Sequence, residues 1–144
     1  MNNDFRSFLQ HFLGIWKSCS LHELKDVISQ DYKAREITSE GVVDFGYEES
    51  VEGWRQGFSF IKENHAEWDL KELKTFPLKE QEWMAIIWAA PIIKGKAPMN
   101  GHLFFDTFKP DNDAGWKLVR SYIETDIPFE HINETLLKGK MNKY

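Results

Sequence analysis

At 144 residues, with 42% hydrophobic and 15% aromatic content, the chain has the length of one domain and enough apolar mass for a real core. A formal net charge of −5 argues against nucleic-acid binding, which needs clustered Lys and Arg to neutralise phosphate. The single cysteine, Cys19, excludes an intrachain disulfide, leaves nothing for a thiolate-built zinc site and suits a reducing compartment.

Asp4 can cap a first helix in which Phe5, Phe8, Leu9, Phe12 and Trp16 follow at i, i+3, i+4 spacing and share one face. A second helix fits Ser20–Ser29, with Ser20 and Glu23 in capping-box positions and Leu21, Leu24, Val27 and Ile28 as its apolar stripe. Asp31-Tyr32 ends it. Lys33–Ser39 then reads as a short strand, with Tyr32, Ala34, Glu36 and Thr38 on one side. Glu40–Glu49, carrying Gly41 and Gly46, reads as a loop. A third helix is expected over Ser50–Asn64, capped by Ser50, with Val51, Trp54, Phe58 and Ile61 on one face. Gly53 and Gly57 each weaken it by about 1 kcal/mol against Ala, for which a close approach to the sheet is the expected compensation.

Trp68–Thr75 is a further strand, and three long ones follow: Glu82–Ile93, Asn100–Phe108 and Trp116–Glu124. Lys109–Gly115 has turn composition. Residues 1–126 are expected to form one domain, and residues 127–144 a tail with a short helix around Asn133–Lys138. No signal peptide and no run of roughly 20 apolar residues is present, so a cytoplasmic protein without a membrane partner is expected.

The long strands are apolar on both faces. In the first, Met84, Ile86, Trp88 and Ile92 alternate with Trp83, Ala85, Ile87 and Ala89. One face covers the helices, and the other needs a homodimer partner or the C-terminal tail. His102 and Asp106 sit among apolar residues in the second strand. Trp116, Leu118, Arg120, Tyr122 and Glu124 share one side of the third. The order predicts an α+β fold: a curved antiparallel sheet wrapped around three N-terminal helices.

Three segments carry a resemblance to a known superfamily. They are Asp31-Tyr32-x-Ala34-x-Glu36, then Trp54-Arg55-Gln56-Gly57-Phe58, then Leu103-Phe104-Phe105-Asp106-x-Phe108 with Gly115-Trp116-Lys117-Leu118 after the turn. In order and spacing, from about Phe5 to Asp126, the chain resembles the nuclear-transport-factor-two-like superfamily, which includes ketosteroid isomerases and SnoaL-like polyketide cyclases. The resemblance implies a cone-shaped α+β barrel, a pocket between helices and concave sheet, and dimerisation through the convex face. It also implies a carboxylate base at Glu36 and an oxyanion-stabilising group at His102, a histidine where the isomerases have an acid. Their oxyanion-hole tyrosine has no counterpart near Phe12, His11 and Trp16.

Each candidate has a plainer alternative. Glu36 is a general base raised in pKa by an apolar cone, or it is a salt-bridge partner of Arg35, Arg55 or Arg120, or exposed at a sheet edge. His102 and Asp106, on one strand face, are an acid–base pair or a pair satisfied inside a core. Arg120 holds an anionic ligand group or pairs with Asp106. Phe12, Trp16, Tyr32, Trp54, Phe58, Trp88, Phe104 and Tyr122 line a pocket for a flat apolar ligand, or they fill a core. The five histidines lack metal-site spacing, and no cofactor motif is present. The reading reached is a small-molecule-binding cone for an apolar or aromatic ligand. Its alternatives are a proton-transfer enzyme on an apolar carbonyl compound with Glu36 as base, and a structural or partner-binding dimer domain with a filled cone.

Overall fold

The structure, a computed structural model, describes residues 3–112 and 115–132. Three helices and six strands follow the order α1 (Asn3–Ser18), α2 (Leu21–Asp26), β1 (Ile28–Thr38), β2 (Gly41–Phe45), α3 (Tyr47–Glu63), β3 (Glu67–Pro77), β4 (Trp83–Ile92), β5 (Asn100–Asp111) and β6 (Gly115–Pro128). The strands form one sheet in the order β2-β1-β6-β5-β4-β3. All neighbours are antiparallel except β1 and β6, which run parallel. The sheet curves over the helices and stays open, with β2 and β3 as its edges. The α+β expectation therefore holds, with one parallel pair added.

Three boundaries move for physical reasons. Helix α2 stops at Asp26, before the β-branched pair Val27-Ile28, and the Val27 carbonyl accepts the Leu118 amide at 2.8 Å, a strand-type bond to β6. The expected loop at Glu40–Glu49 holds strand β2, because Gly41 at φ 127° makes the tight return that a Cβ would strain. Helix α3 begins at Tyr47, where the Glu49 carboxylate accepts the Gly46 amide at 2.9 Å, leaving Ser50 buried inside the helix. Asp4 likewise sits within the first turn of α1 rather than before it, where its charge still complements the helix dipole.

Cross-strand register organises the inner face into rungs. Trp83, Phe108, Leu118 and Ile28 form one rung; Ala85, Asp106, Ser121, Ala34 and Phe45 the next; Ile87, Phe104, Ile123, Glu36 and Val43 the third. Beyond it lie Ala89 and His102. Helix α1 packs the first rung solid. Phe5 meets Trp83 at 5.2 Å and Trp116 at 5.0 Å between ring centroids, and Phe12 meets Phe108 at 5.1 Å, edge to face.

A bulge in β6 corrects the expected side assignment on that strand. Phe108 pairs with Leu118 but Thr107 pairs with Arg120, so Val119 is an extra residue. The alternation flips there. Trp116 and Leu118 face inward before the bulge; Ser121 and Ile123 do so after it, sending Arg120, Tyr122 and Glu124 to the outer face.

On that outer face Trp88 is fully buried in a separate cluster with Ala90 and Ile132, with Phe129 at 5.6 Å from its ring. Residues 129–132 are helical and supply this cover, while the helix expected at Asn133–Lys138 lies outside the described residues. Gly101 lets the indole lie flat: a Cβ there would stand 2.6 Å from the Trp88 ring and 2.9 Å from the Ala89 carbonyl. Among the described residues no helix is long and apolar enough to cross a membrane.

Candidate functional site

The aromatic filling stops at the second rung. Beyond it a cavity of about 510 Å³ opens between α3, α1 and the sheet. Its aromatic walls are Trp16, Trp54, Trp68, Phe104, Tyr32 and Phe45. Trp16 stands edge-on to Trp54 at 4.7 Å and to Phe104 at 4.9 Å, while Trp54 and Phe104 lie nearly parallel at 6.2 Å. Such rings offer both apolar area and electron-rich faces.

Helix α3 keeps this space open. Gly53 and Gly57 both line the cavity. A Cβ at Gly53 would meet nothing within 4 Å, and one at Gly57 only the Trp68 ring at 3.8 Å. Close packing on the sheet therefore does not account for Gly53: the missing side chain leaves empty volume.

Two of the candidate catalytic residues border this cavity. Glu36, half-buried on the third rung, lines it and has no hydrogen-bond or ion-pair partner among the described residues. The arginines that could have neutralised it are engaged elsewhere: Arg35 with Asp44 at 2.8 Å, Arg55 with Glu52, and Arg120 with Glu82. His102 lines the mouth and is exposed. Its Nδ1 accepts the Asp126 amide at 3.2 Å, which puts the ring proton on Nε2.

Asp106 is elsewhere. It is completely buried on the second rung, outside the cavity lining, and its Oδ1 accepts the Ser121 hydroxyl at 2.6 Å. Its Oδ2 has no hydrogen-bond partner among the described residues. Burial pushes its pKa up to about 7, against the opposing pull of the Ser121 bond. Asp106 therefore forms no pair with His102. It joins a buried polar group in which burial, and secondarily the charge of Asp106, raise the Tyr32 hydroxyl pKa while hydrogen bonding to Ser121 and Ser50 opposes the rise.

Of the candidate ligand contacts, Trp16, Tyr32, Trp54 and Phe104 line the cavity. Phe12 belongs to the packed rung, and Phe58 is buried beneath Trp54 with ring centroids 5.6 Å apart. Trp88 is on the other face. Arg120 and Tyr122 lie on the outer face after the bulge, Tyr122 bonding Glu124 there. Sequence reasoning overlooked Phe45, which stood in an apparent loop, and Trp68, which stood at the start of an expected strand. The Gly53/Gly57 pair was the visible signal for the cavity wall.

No family model and no curated protein matches the chain. Solved structures do resemble it. A domain of unknown function with a cystatin-like fold from Nostoc punctiforme superposes with a TM-score of 0.65 at 14% identity, covering 99% of this chain and 89% of that one. An NTF2-like protein with a cystatin-like fold from Novosphingobium aromaticivorans gives 0.64 at 12%, covering 85% and 80%. ActVI-ORFA from Streptomyces coelicolor gives 0.59 at 13%, covering 86% and 96%. The chain has the cystatin-like fold of the NTF2-like proteins. At these identities the likeness concerns the fold alone.

Proposed function

We propose that this protein binds a small, largely aromatic or apolar molecule in the wide end of its cone. The observation that carries this reading is the 510 Å³ cavity walled by six aromatic side chains and kept open by Gly53. Its volume is in the range of small-molecule sites, which combine apolar walls with a few polar groups. Glu36 and His102 supply those groups at its border. A cavity of this size also speaks against a domain whose own side chains fill the cone.

The test is a titration of small aromatic compounds followed by tryptophan fluorescence, comparing the parent with Gly53→Leu. Saturable binding to the parent, lost in a Gly53→Leu protein that still unfolds cooperatively, is expected. Binding that ignores Gly53→Leu, or none across the panel and no molecule copurifying with the protein, would reject the reading.

A proton-transfer reading has support in the shared cavity. Glu36 would take a proton from carbon beside a carbonyl group while His102 donates from Nε2 to the oxygen. Asp106, bonded to Ser121, is outside this scheme. Carbonyl compounds should then exchange that hydrogen in heavy water with the parent but not with Glu36→Gln; equal rates would end the idea.

Homodimerisation is proposed for the outer sheet face. Met84, Ile86 and the Phe105–Tyr122 ring pair make a half-exposed apolar strip beside the Arg35–Asp44 and Arg120–Glu82 pairs. Pairs of opposite sign are self-complementary across a two-fold axis. Sedimentation of the parent as a dimer and of Phe105→Lys as a monomer is expected; a monomeric parent would contradict it.

A further inference from the structure

We infer that the ligand of this cavity carries a positive charge: a small organic cation, such as an amine or quaternary ammonium attached to a flat apolar group. The inference rests on the reading of the cone as a ligand site and adds the ligand's charge.

Three acidic residues border the cavity, Glu36, Asp44 and Glu49, and among the described residues no Lys or Arg does. Their partners distinguish them. Asp44 is neutralised by a two-pronged bond from Arg35 at 2.8 and 2.9 Å. Glu49 is occupied with the Gly46 amide at the start of α3, a bond that leaves its charge in place. Glu36 has neither ion pair nor hydrogen bond among the described residues, although it is half-buried. A carboxylate so placed lacks compensation among the described residues, and an incoming cation would provide it.

The aromatic walls favour the same charge. Trp54 and Phe104 are half-buried with their rings near parallel, and Trp16 and Trp68 close the floor behind them. The faces of such rings attract cations, most strongly where water is excluded. Glu36 and Phe104 share a rung with one strand between them, so their backbones stand roughly 10 Å apart. A trimethylammonium head fits in that interval with the carboxylate on one side and rings on the other. An anionic ligand in that interval would meet the unpaired charge of Glu36 with no Lys or Arg among the described lining residues to offset it.

The test uses phenyltrimethylammonium and tert-butylbenzene, which have the same shape and differ in charge, with benzoate as the anionic probe. Binding is followed by tryptophan fluorescence and checked by ligand-observed NMR. The cation should bind about tenfold or more tightly than its neutral isostere, with benzoate weakest. Glu36→Gln should shrink the cation's advantage over tert-butylbenzene several-fold. Trp54→Leu should weaken the cation more than the neutral compound, and does not depend on Glu36→Gln folding well. If tert-butylbenzene binds as tightly as the cation and Gly53→Leu abolishes both, the cavity is a ligand site and the cation proposal is overturned. If no probe binds to the parent, the proposal falls, and the copurification and panel experiments above decide the wider reading on their own.

Discussion

The two ends of the cone use the same residue types and reach opposite outcomes. At the narrow end Phe5, Phe12, Trp83, Phe108 and Trp116 interlock ring on ring beneath α1. At the wide end Trp16, Trp54, Trp68 and Phe104 are just as bulky, yet they enclose 510 Å³. What differs is the helix above them. Helix α1 places large apolar residues on every turn of its inner face, whereas α3 offers Gly53 and Gly57. Aromatic content thus does not say whether a space is filled or walled; the small residues opposite decide it.

That contrast can be broken from either end. Phe12→Ala, at the packed end, should cost about 3–5 kcal/mol in denaturant unfolding. Trp54→Ala, whose ring borders an existing void, should cost distinctly less; equal losses would mean that the two ends are packed alike. Between the ends, the buried Asp106 gives a pH signature. Its carboxyl ionises near the ordinary 3.8 when unfolded and at about 7 when folded. The folded state therefore binds the extra proton, and stability should fall as pH rises from about 4 to about 7, then level off. Asp106→Asn removes the charge, so its unfolding free energy should exceed the parent's by up to about 4 kcal/mol at pH 8, with little difference below pH 4. A constant gap across that range would show that Asp106 is not a buried acid.

Smaller effects sharpen the picture. Gly101→Ala drives a methyl group into the Trp88 ring and the Ala89 carbonyl, and should cost about 1–3 kcal/mol. Gly53→Ala has free space and a helical setting, so it should raise stability by up to about 1 kcal/mol in thermal or denaturant unfolding. It should also reduce ligand affinity. Loss of stability there would mean that the cavity wall is tighter than described.

Much of the fold was legible because its signals are local. The periodicity of Phe5, Leu9, Phe12 and Trp16 foretold which face of α1 is buried, and the alternation in β4 foretold a strand buried on both faces around Ile87 and Trp88. The site was half legible. Tyr32 and Glu36 follow ordinary alternation and come to the cavity, as do His102 and Phe104. Asp106 shares that face but lies one rung deeper, and depth along a cone is not written in a strand's period. Arg120 and Tyr122 were misassigned because the bulge at Val119 depends on pairing with β5. Trp88 could not be separated from Phe104 by pattern, since the outer face is also covered around Trp88, by Phe129 and Ile132.

The most direct test of the difference between the two ends is a crystal soaked in bromobenzene, with the anomalous signal of bromine marking where an aromatic molecule enters. A peak is expected in the wide end beside Trp54 and Phe104, with none among Phe5, Phe12 and Phe108. A peak inside the narrow end, or a wide end closed by collapse of Trp54 onto Phe104 with no bromine in the cone, would contradict it.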